Sequence, residues 1–237
     1  MARLFLQQLI KDSIDFLQEL CPVDGYFLAF SGGKDSIVMK QITKDSGVKF
    51  DAHYSITSAD PPELVAFIKQ YHPEVSMDYP GTTMWKLIPN KLMPPTRLVR
   101  YCCQVLKEGG GENRIVLLGN KKTDSRKRNN QEKIRVCSKN GKVTLAPLYN
   151  WNDEDIWEYI KYRNLPYCSL YDEGYKRLGC IGCPMAGAKQ MHREFERWPK
   201  YKQAYLRAFG RMLEERKKKN KPTEWQTPEE AMEWWLT

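Results

Sequence analysis

Two stretches of the 237-residue chain carry residue types at spacings that can do chemistry. The first is Phe30-Ser31-Gly32-Gly33-Lys34-Asp35-Ser36, a glycine pair followed by a lysine, an aspartate and a serine. Glycines let the backbone approach an anion closely, and amides at a helix start can then cradle it. Lys34 adds a mobile cation, Ser31 and Ser36 add hydroxyl donors, and Asp35 could hold Mg²⁺. That chemistry suits phosphate. The GxxxxGK[ST] pattern is absent, so cleavage of a γ-phosphate is not implied. A bare SGG is most often only a turn, but this one directly follows the apolar run Tyr26–Phe30.

The second is Cys180-Ile181-Gly182-Cys183-Pro184. A CxxC lets two thiolates reach one metal centre. Zinc, an iron–sulfur cluster and a redox dithiol all remain compatible with it.

Hydrophobic patterning supplies the scaffold. Leu4, Leu6, Ile10, Ile14, Leu17 and Leu20 predict an opening amphipathic helix. Tyr26–Phe30 reads as a buried strand delivering the glycine loop, and Ser36–Thr43 as the helix leaving it. Strands over Phe50–Thr57, Arg114–Gly119 and Val143–Leu148 alternate with helices over Glu63–Tyr71 and Asp153–Tyr162, the last capped by Asn152. This order predicts an α/β fold, a mostly parallel open sheet with helices on both faces. Ligands of such sheets sit beyond the carboxyl ends of the strands. From Pro199 onward, Tyr201, Tyr205, Phe209, Met212 and Leu213 mark a C-terminal helical arm with a packing face, which Trp234 and Trp235 dock.

Hydrophobic residues make up 41% and charged residues 28%, which excludes wholesale disorder. No apolar run approaches the roughly 20 residues that cross a bilayer. The charged, amphipathic N-terminus does not read as a signal peptide, so a cytoplasmic protein without a membrane partner is expected. Seven cysteines cannot all pair internally and read as thiols or ligands in a reducing compartment. The net charge of +9 is uneven: residues 189–221 carry +8 and residues 114–135 carry +6, leaving −5 elsewhere. An anionic partner follows. Lys217–Lys219 alone is as readily a solvated helix end as a polyanion grip.

SGGKDS resembles the PP-loop of the ATP pyrophosphatase, or adenine nucleotide alpha hydrolase, superfamily, whose members grip pyrophosphate and react at the α-phosphate. Within it, TSADPPELVAFI (57–68), GNKKTDSRKRN (119–129) and APLYNWNDEDIWEYIKYRNLPYCSLYDEGYKRLGCIGCP (146–184) resemble stretches of the phosphoadenosine phosphosulfate (PAPS) reductase family, in the same order. The resemblance spans about residues 25–185. It implies a Rossmann-like nucleotide-binding domain over residues 1–187 and a basic helical extension over 188–237. It implies nucleotide contacts from Ser31, Gly32, Gly33, Lys34, Asp35, Ser36, Thr57, Gly119 and Lys122, with Lys34, Asp35 and Arg126 as the catalytic group. Tyr175, Lys176 and Arg177 would close over the substrate. Cys102-Cys103, ahead of the CxxC, is the arrangement of the cluster-bearing members. Cys102, Cys103, Cys180 and Cys183 are therefore the implied ligands of a [4Fe–4S] cluster, with zinc as runner-up. Cys21, Cys137 and Cys168 read as ordinary thiols.

Two features depart from the sulfonucleotide reductases. Their catalytic Glu-Cys-Gly motif has no counterpart, since 54 residues without a thiol follow Cys183. They also commonly lack the lysine of SGGKDS, which ATP-using relatives keep. Both departures point to ATP as substrate and to adenylylation with pyrophosphate release, supporting sulfur transfer to an acceptor. Expected partners are an adenine nucleotide, a nucleic acid gripped by the basic arm, and a sulfur-donor protein such as a cysteine desulfurase or a thioredoxin-like reductant. Reduction of adenylyl sulfate or PAPS with a partner's thiol is the alternative. A non-catalytic nucleotide- or redox-sensing subunit is the third reading.

Overall fold

The computed structural model describes residues 2–137 and 141–237. Packing gathers the chain into two compact units. The first takes residues up to 54, 62–78 and 110–178, and the second takes 55–61, 79–109 and 179–237. Residues 188–237 thus share a unit with both cysteine pairs.

The first unit holds a six-stranded sheet. Its strands are β1 (Tyr26–Ala29), β2 (Phe50–Ser55), β3 (Ser76–Asp78), β4 (Val116–Leu117), β5 (Ile134–Val136) and β6 (Val143–Leu145), in the order β3-β2-β1-β4-β6-β5. β1 runs parallel to β2 and β4, β4 runs parallel to β6, and the edge strand β5 pairs antiparallel with β6. The sheet is the mostly parallel, open α/β sheet with helices that the alternation predicts. The central strand explains why: Tyr26 and Leu28 are fully buried, as in a parallel strand covered on both faces. The Tyr26 hydroxyl keeps a partner by donating to Leu17 O at 2.9 Å.

The α-helices among the described residues are, in chain order, α1 (Ala2–Glu19), α2 (Lys34–Asp45), α3 (Pro62–Tyr71), α4 (Met84–Lys91), α5 (Tyr101–Leu106), α6 (Arg126–Asn129), α7 (Asp153–Tyr162), α8 (Ala188–Arg197), α9 (Pro199–Lys218) and α10 (Pro228–Leu236). α7 has the predicted bounds. The Asn152 side chain accepts from the Glu154 and Asp155 amides, and Asp155 accepts in return from Asn152 N at 2.8 Å, a capping box. α2 starts at Lys34 with Gly33 as its N-cap, two residues before the predicted start. Lys34 and Asp35 therefore belong to the first helical turn.

The strands feeding the loops are shorter than predicted. Arg114–Gly119 contributes only Val116–Leu117, because Arg114 turns aside to pair with Asp51 at 2.5 Å and the chain leaves the ladder after Leu117. β3, β5, α4 and α5 carry no predicted counterpart.

In the second unit α9 packs on α4 and α10. Tyr205, Ala208, Phe209 and Met212 form the buried stripe. Trp235 completes this core, 4.7 Å from the Tyr205 ring, and its indole N–H donates to Pro95 O at 2.6 Å. Trp234 does not join it and stays 44% exposed, since neighbouring helix positions face different ways. Among the described residues no helix is long and apolar enough to cross a membrane.

Candidate functional site

The sheet order reverses between β1 and β4: the chain moves outward through β2 and β3, then restarts on the other side of β1. Parallel neighbours whose connections depart in opposite directions leave a crevice at their carboxyl ends. Ser31–Ser36 leaves the end of β1 there, residues 119–126 follow β4, and Asp153 follows β6 at the head of α7.

The loop is built to bring backbone, not side chains, to this crevice. Gly32 has φ +70°, and a Cβ there would lie 2.7 Å from the side chains of both Leu64 and Ile68. Only glycine fits that position. The Ser36 hydroxyl donates to Gly33 O at 2.8 Å, and the Ser31 hydroxyl to Ser36 Oγ at 3.1 Å, which tightens the turn into α2. The first turn of α2 then presents its amides and the positive end of its dipole. One amide is occupied: Lys34 N donates to the Tyr171 hydroxyl at 2.9 Å. Gly119 lies against the same turn, where a Cβ would meet the Asp35 backbone at 3.3 Å.

Two buried ammonium groups converge beside the loop. Lys34 is 5% exposed and pairs with Asp35 and Asp153, each at 3.2 Å. Lys121 is 1% exposed and pairs with Asp35, with Asp153 at 3.1 Å and with Asp124 at 3.2 Å. Burial disfavours the Lys121 charge, but the carboxylates outweigh it and raise its pKa. The same balance holds Asp153 below the usual carboxylate range, burial opposing and the two lysines winning. Asp124 is lowered as well, by the Lys121 amide and the charges of Lys121 and Arg128 against burial.

Sequence reasoning chose Lys122 from this stretch, whereas the buried cation is Lys121. The Lys122 ammonium instead reaches Asn150 Oδ1 at 3.5 Å. The Arg126 side chain is exposed at the start of α6. Lys121, Asp124, Asp153 and Tyr171 were missed. The adjacent Lys-Lys pair was the available signal, because only one of two successive lysines leaving a strand can face the crevice.

The second unit gathers all four expected ligand cysteines. Cys102 is buried, and Cys103, Cys180 and Cys183 are half-buried. The hydrogen bond between Cys102 and Cys103 raises the Cys102 thiol and, against burial and with help from Arg100 and Lys107, lowers Cys103 to about 5. Burial and Cys180 raise Cys183, while Cys180 and Asp60 raise Lys107. The CxxC turn is pinned: Ile181 N donates to Ala59 O at 2.7 Å, Gly182 N to Glu194 Oε2 at 2.7 Å, and the Tyr205 hydroxyl to Ile181 O at 2.9 Å. Gly182 has φ +71°, and a Cβ there would strike the Phe195 ring at 2.6 Å. Thr57 also belongs to this unit. It is 1% exposed, its hydroxyl donates to Asp60 at 2.7 Å, and the Cys180 thiol donates to it at 3.4 Å.

Among the described residues no group of three or more His, Cys, Asp or Glu is placed so that it could hold a metal ion. By residue type alone the four thiols are soft donors, and Arg100 and Lys107 lower Cys103 beside them.

A model of the phosphoadenosine phosphosulfate reductase domain matches residues 25–186. An uncharacterised protein of Methanocaldococcus jannaschii is 25% identical over 213 residues, 82% of this chain and 51% of that protein. The chain thus spans about half the length of that relative. The adenosine 5′-phosphosulfate reductase of Shouchella clausii is 28% identical over 203 residues, 74% of this chain and 78% of its own. Among solved structures, a PAPS reductase from Candida auris in complex with phosphate has a TM-score of 0.56 at 17% identity. The match covers 74% of this chain and 93% of that one.

Proposed function

Because the chain belongs to the phosphoadenosine phosphosulfate reductase domain family, we propose that it binds ATP, breaks the bond between the α- and β-phosphates, and adenylylates an acceptor in support of sulfur transfer. The observation that carries this reading is the pair of buried ammonium groups, Lys34 and Lys121, sharing Asp35 and Asp153 beside the glycine loop. Two ammoniums cost several kcal/mol each to withdraw from water unless anions face them. The carboxylates meet that need in the free protein, and a triphosphate offers a denser one.

In the proposed reaction the acceptor's nucleophilic atom forms a bond to the α-phosphorus as the bond to the bridging oxygen breaks. The electron pair leaves on pyrophosphate. Lys34, Lys121 and the amides of the first turn of α2 neutralise charge where it builds up on that leaving group. Asp35 and Asp153, released from the lysines, would be the residues to hold a Mg²⁺ ion, which would supply further neutralisation of phosphate charge. Tyr171 holds the Lys34 amide until a phosphate oxygen takes its place. A [4Fe–4S] centre like that of the cluster-bearing members, if held by Cys102, Cys103, Cys180 and Cys183, would supply a site at which sulfur is bound or electrons are delivered.

The Shouchella clausii relative favours a second reading, reduction of adenylyl sulfate. Competition binding separates the two: ATP displacing a labelled adenine nucleotide far better than adenylyl sulfate supports adenylylation, and the reverse order supports reduction. Incubation with α-labelled ATP and candidate acceptors tests turnover, read as AMP plus pyrophosphate.

A further inference from the structure

Gly33 has an ordinary extended backbone, φ −81° and ψ 161°, so its conformation alone does not call for glycine. What it lacks is a side chain, and the space is used: a Cβ there would lie 3.3 Å from the Tyr171 hydroxyl oxygen. That oxygen sits over the loop and accepts from Lys34 N at 2.9 Å. Burial, the largest influence, raises the Tyr171 pKa, so the hydroxyl stays neutral. The Lys34 amide is one of the first-turn donors that an anion in the cradle would take. The loop thus meets its own needs internally: Asp35 and Asp153 face the Lys34 ammonium, and Tyr171 faces the Lys34 amide.

Two rings hold Tyr171 in that place. Trp157 meets the Tyr171 ring edge to face at 5.1 Å and 89°, and Tyr167 meets it at 6.3 Å and 69°. Trp157 and Tyr167 also meet each other, at 5.2 Å and 84°. Such pairs add to what burial alone supplies. The Tyr167 hydroxyl donates to Asp172 at 3.1 Å, which ties the group to the residue after Tyr171. Trp157 is not part of the buried stripe of α7, which consists of Asp155, Ile156, Tyr159 and Ile160. It lies four positions after Asp153, so both fall on one face of that helix. One helix face thus supplies the carboxylate that answers Lys34 and the ring that holds the hydroxyl over the Lys34 amide.

We propose that Trp157 is a positioning residue of the nucleotide site, holding Tyr171 over the loop as a latch that an incoming diphosphate group must displace. This rests on the adenylylation reading for the identity of the ligand, and adds to it a control on ligand entry. A phosphate oxygen can take the amide because a hydrogen bond to an anion is roughly twice as strong as one to a neutral acceptor. The ligand still forfeits the bond it replaces, and only the unlatched fraction of the protein is ready to bind. Since the latch is closed only before binding, it slows capture and leaves release unchanged.

The test is stopped-flow binding of an ATP analogue with a fluorophore on its ribose, alongside calorimetric titration of inorganic pyrophosphate, on the full chain. Tyr171→Phe keeps the ring and its aromatic neighbours but removes the hydroxyl. It should bind the analogue about fivefold faster with release unchanged, and pyrophosphate about fivefold more tightly. Trp157→Ala should move the association rate the same way, and Trp157→Phe should restore it. The double variant Trp157→Ala/Tyr171→Phe should bind no faster than Tyr171→Phe, because Trp157 acts through the hydroxyl. Circular dichroism confirms that each variant is folded, and Tyr171→Phe carries the test where Trp157→Ala is not. Weaker binding by Tyr171→Phe would make the hydroxyl a ligand contact and overturn the latch. Wild-type rates in Tyr171→Phe, or additive effects in the double variant, would overturn it too, while leaving the adenylylation reading standing. Wild-type protein that binds neither probe would overturn that reading, and the latch with it.

Discussion

Lys34 and Asp153 lie 119 positions apart in sequence and 3.2 Å apart in the fold. Each is the first residue of its helix, so the contact joins the heads of α2 and α7 across the switch point of the sheet. Lys121 closes the group from the third side, reaching Asp153 at 3.1 Å. Three segments that share no sequence neighbourhood thus contribute one charge cluster. Its members set the first prediction.

Lys121→Ala should lower pyrophosphate release by about 100-fold or more, the usual cost of removing one stabiliser of developing charge. It should also destabilise the fold by about 3 kcal/mol, since Asp35, Asp124 and Asp153 lose a buried partner. Lys122→Ala should change neither by more than a few-fold. Steady-state rates and urea unfolding of the two variants measure both effects, and equal behaviour would show that the wrong lysine has been placed at the loop.

Gly32→Ala tests the loop's backbone. At φ +70°, with Leu64 and Ile68 atoms 2.7 Å from the new methyl group, the turn must move. Nucleotide affinity should fall at least tenfold, with a stability loss of about 1–3 kcal/mol. Titration calorimetry with a non-hydrolysable ATP analogue reads the affinity, and wild-type binding would rule out the cradle geometry.

His72 gives the fold an acid limb. It is 5% exposed, and Lys40 Nζ lies 2.7 Å from its Nδ1, donating to an unprotonated ring nitrogen. Burial, then the Lys40 charge, lowers its pKa from 6.5 to about 4, with Glu74 opposing. Between those values the unfolded chain takes up a proton that the folded chain does not. Stability is therefore fully present above pH 6.5 and falls as pH drops towards 4, by about 2–3 kcal/mol. His72→Gln should flatten that part of the curve, followed by urea unfolding at successive pH values. An unchanged slope would place the titrating group elsewhere.

Anaerobic reconstitution with iron and sulfide should load about four irons per chain, the content of one [4Fe–4S] cluster. Cys180→Ala should reduce the iron bound and bleach the visible absorbance. A colourless protein carrying stoichiometric zinc would replace the cluster with the runner-up metal.

Sequence patterning reached the central features because they are local. A buried strand, two glycines and a helix start are contiguous between Tyr26 and Ser36, and Asn152 with Asp155 makes a cap within four residues. The alternation of strands and helices likewise sufficed for the sheet. What escaped it depended on folding back. Lys121 and Lys122 are chemically identical, and only the direction in which the chain leaves β4 makes one buried and the other half-exposed. Asp153 reads locally as an ordinary acidic residue in a first turn. Its approach to Lys34 is set by the distant pairing of β1, β4 and β6. The Trp234-Trp235 dyad reads as one docking feature until α10 turns one ring inward and the other out. Short strands such as β3 and β5 have too few residues to show a period.

The most direct test follows α-labelled ATP through the reconstituted protein in the presence of candidate acceptors. Wild type should release AMP and pyrophosphate in equal amounts through an adenylylated acceptor. Folded Lys34→Ala protein should release neither above background. ADP and inorganic phosphate as products, or undiminished AMP formation by the Lys34→Ala variant, would contradict cleavage at the α-phosphate by this lysine-lined loop.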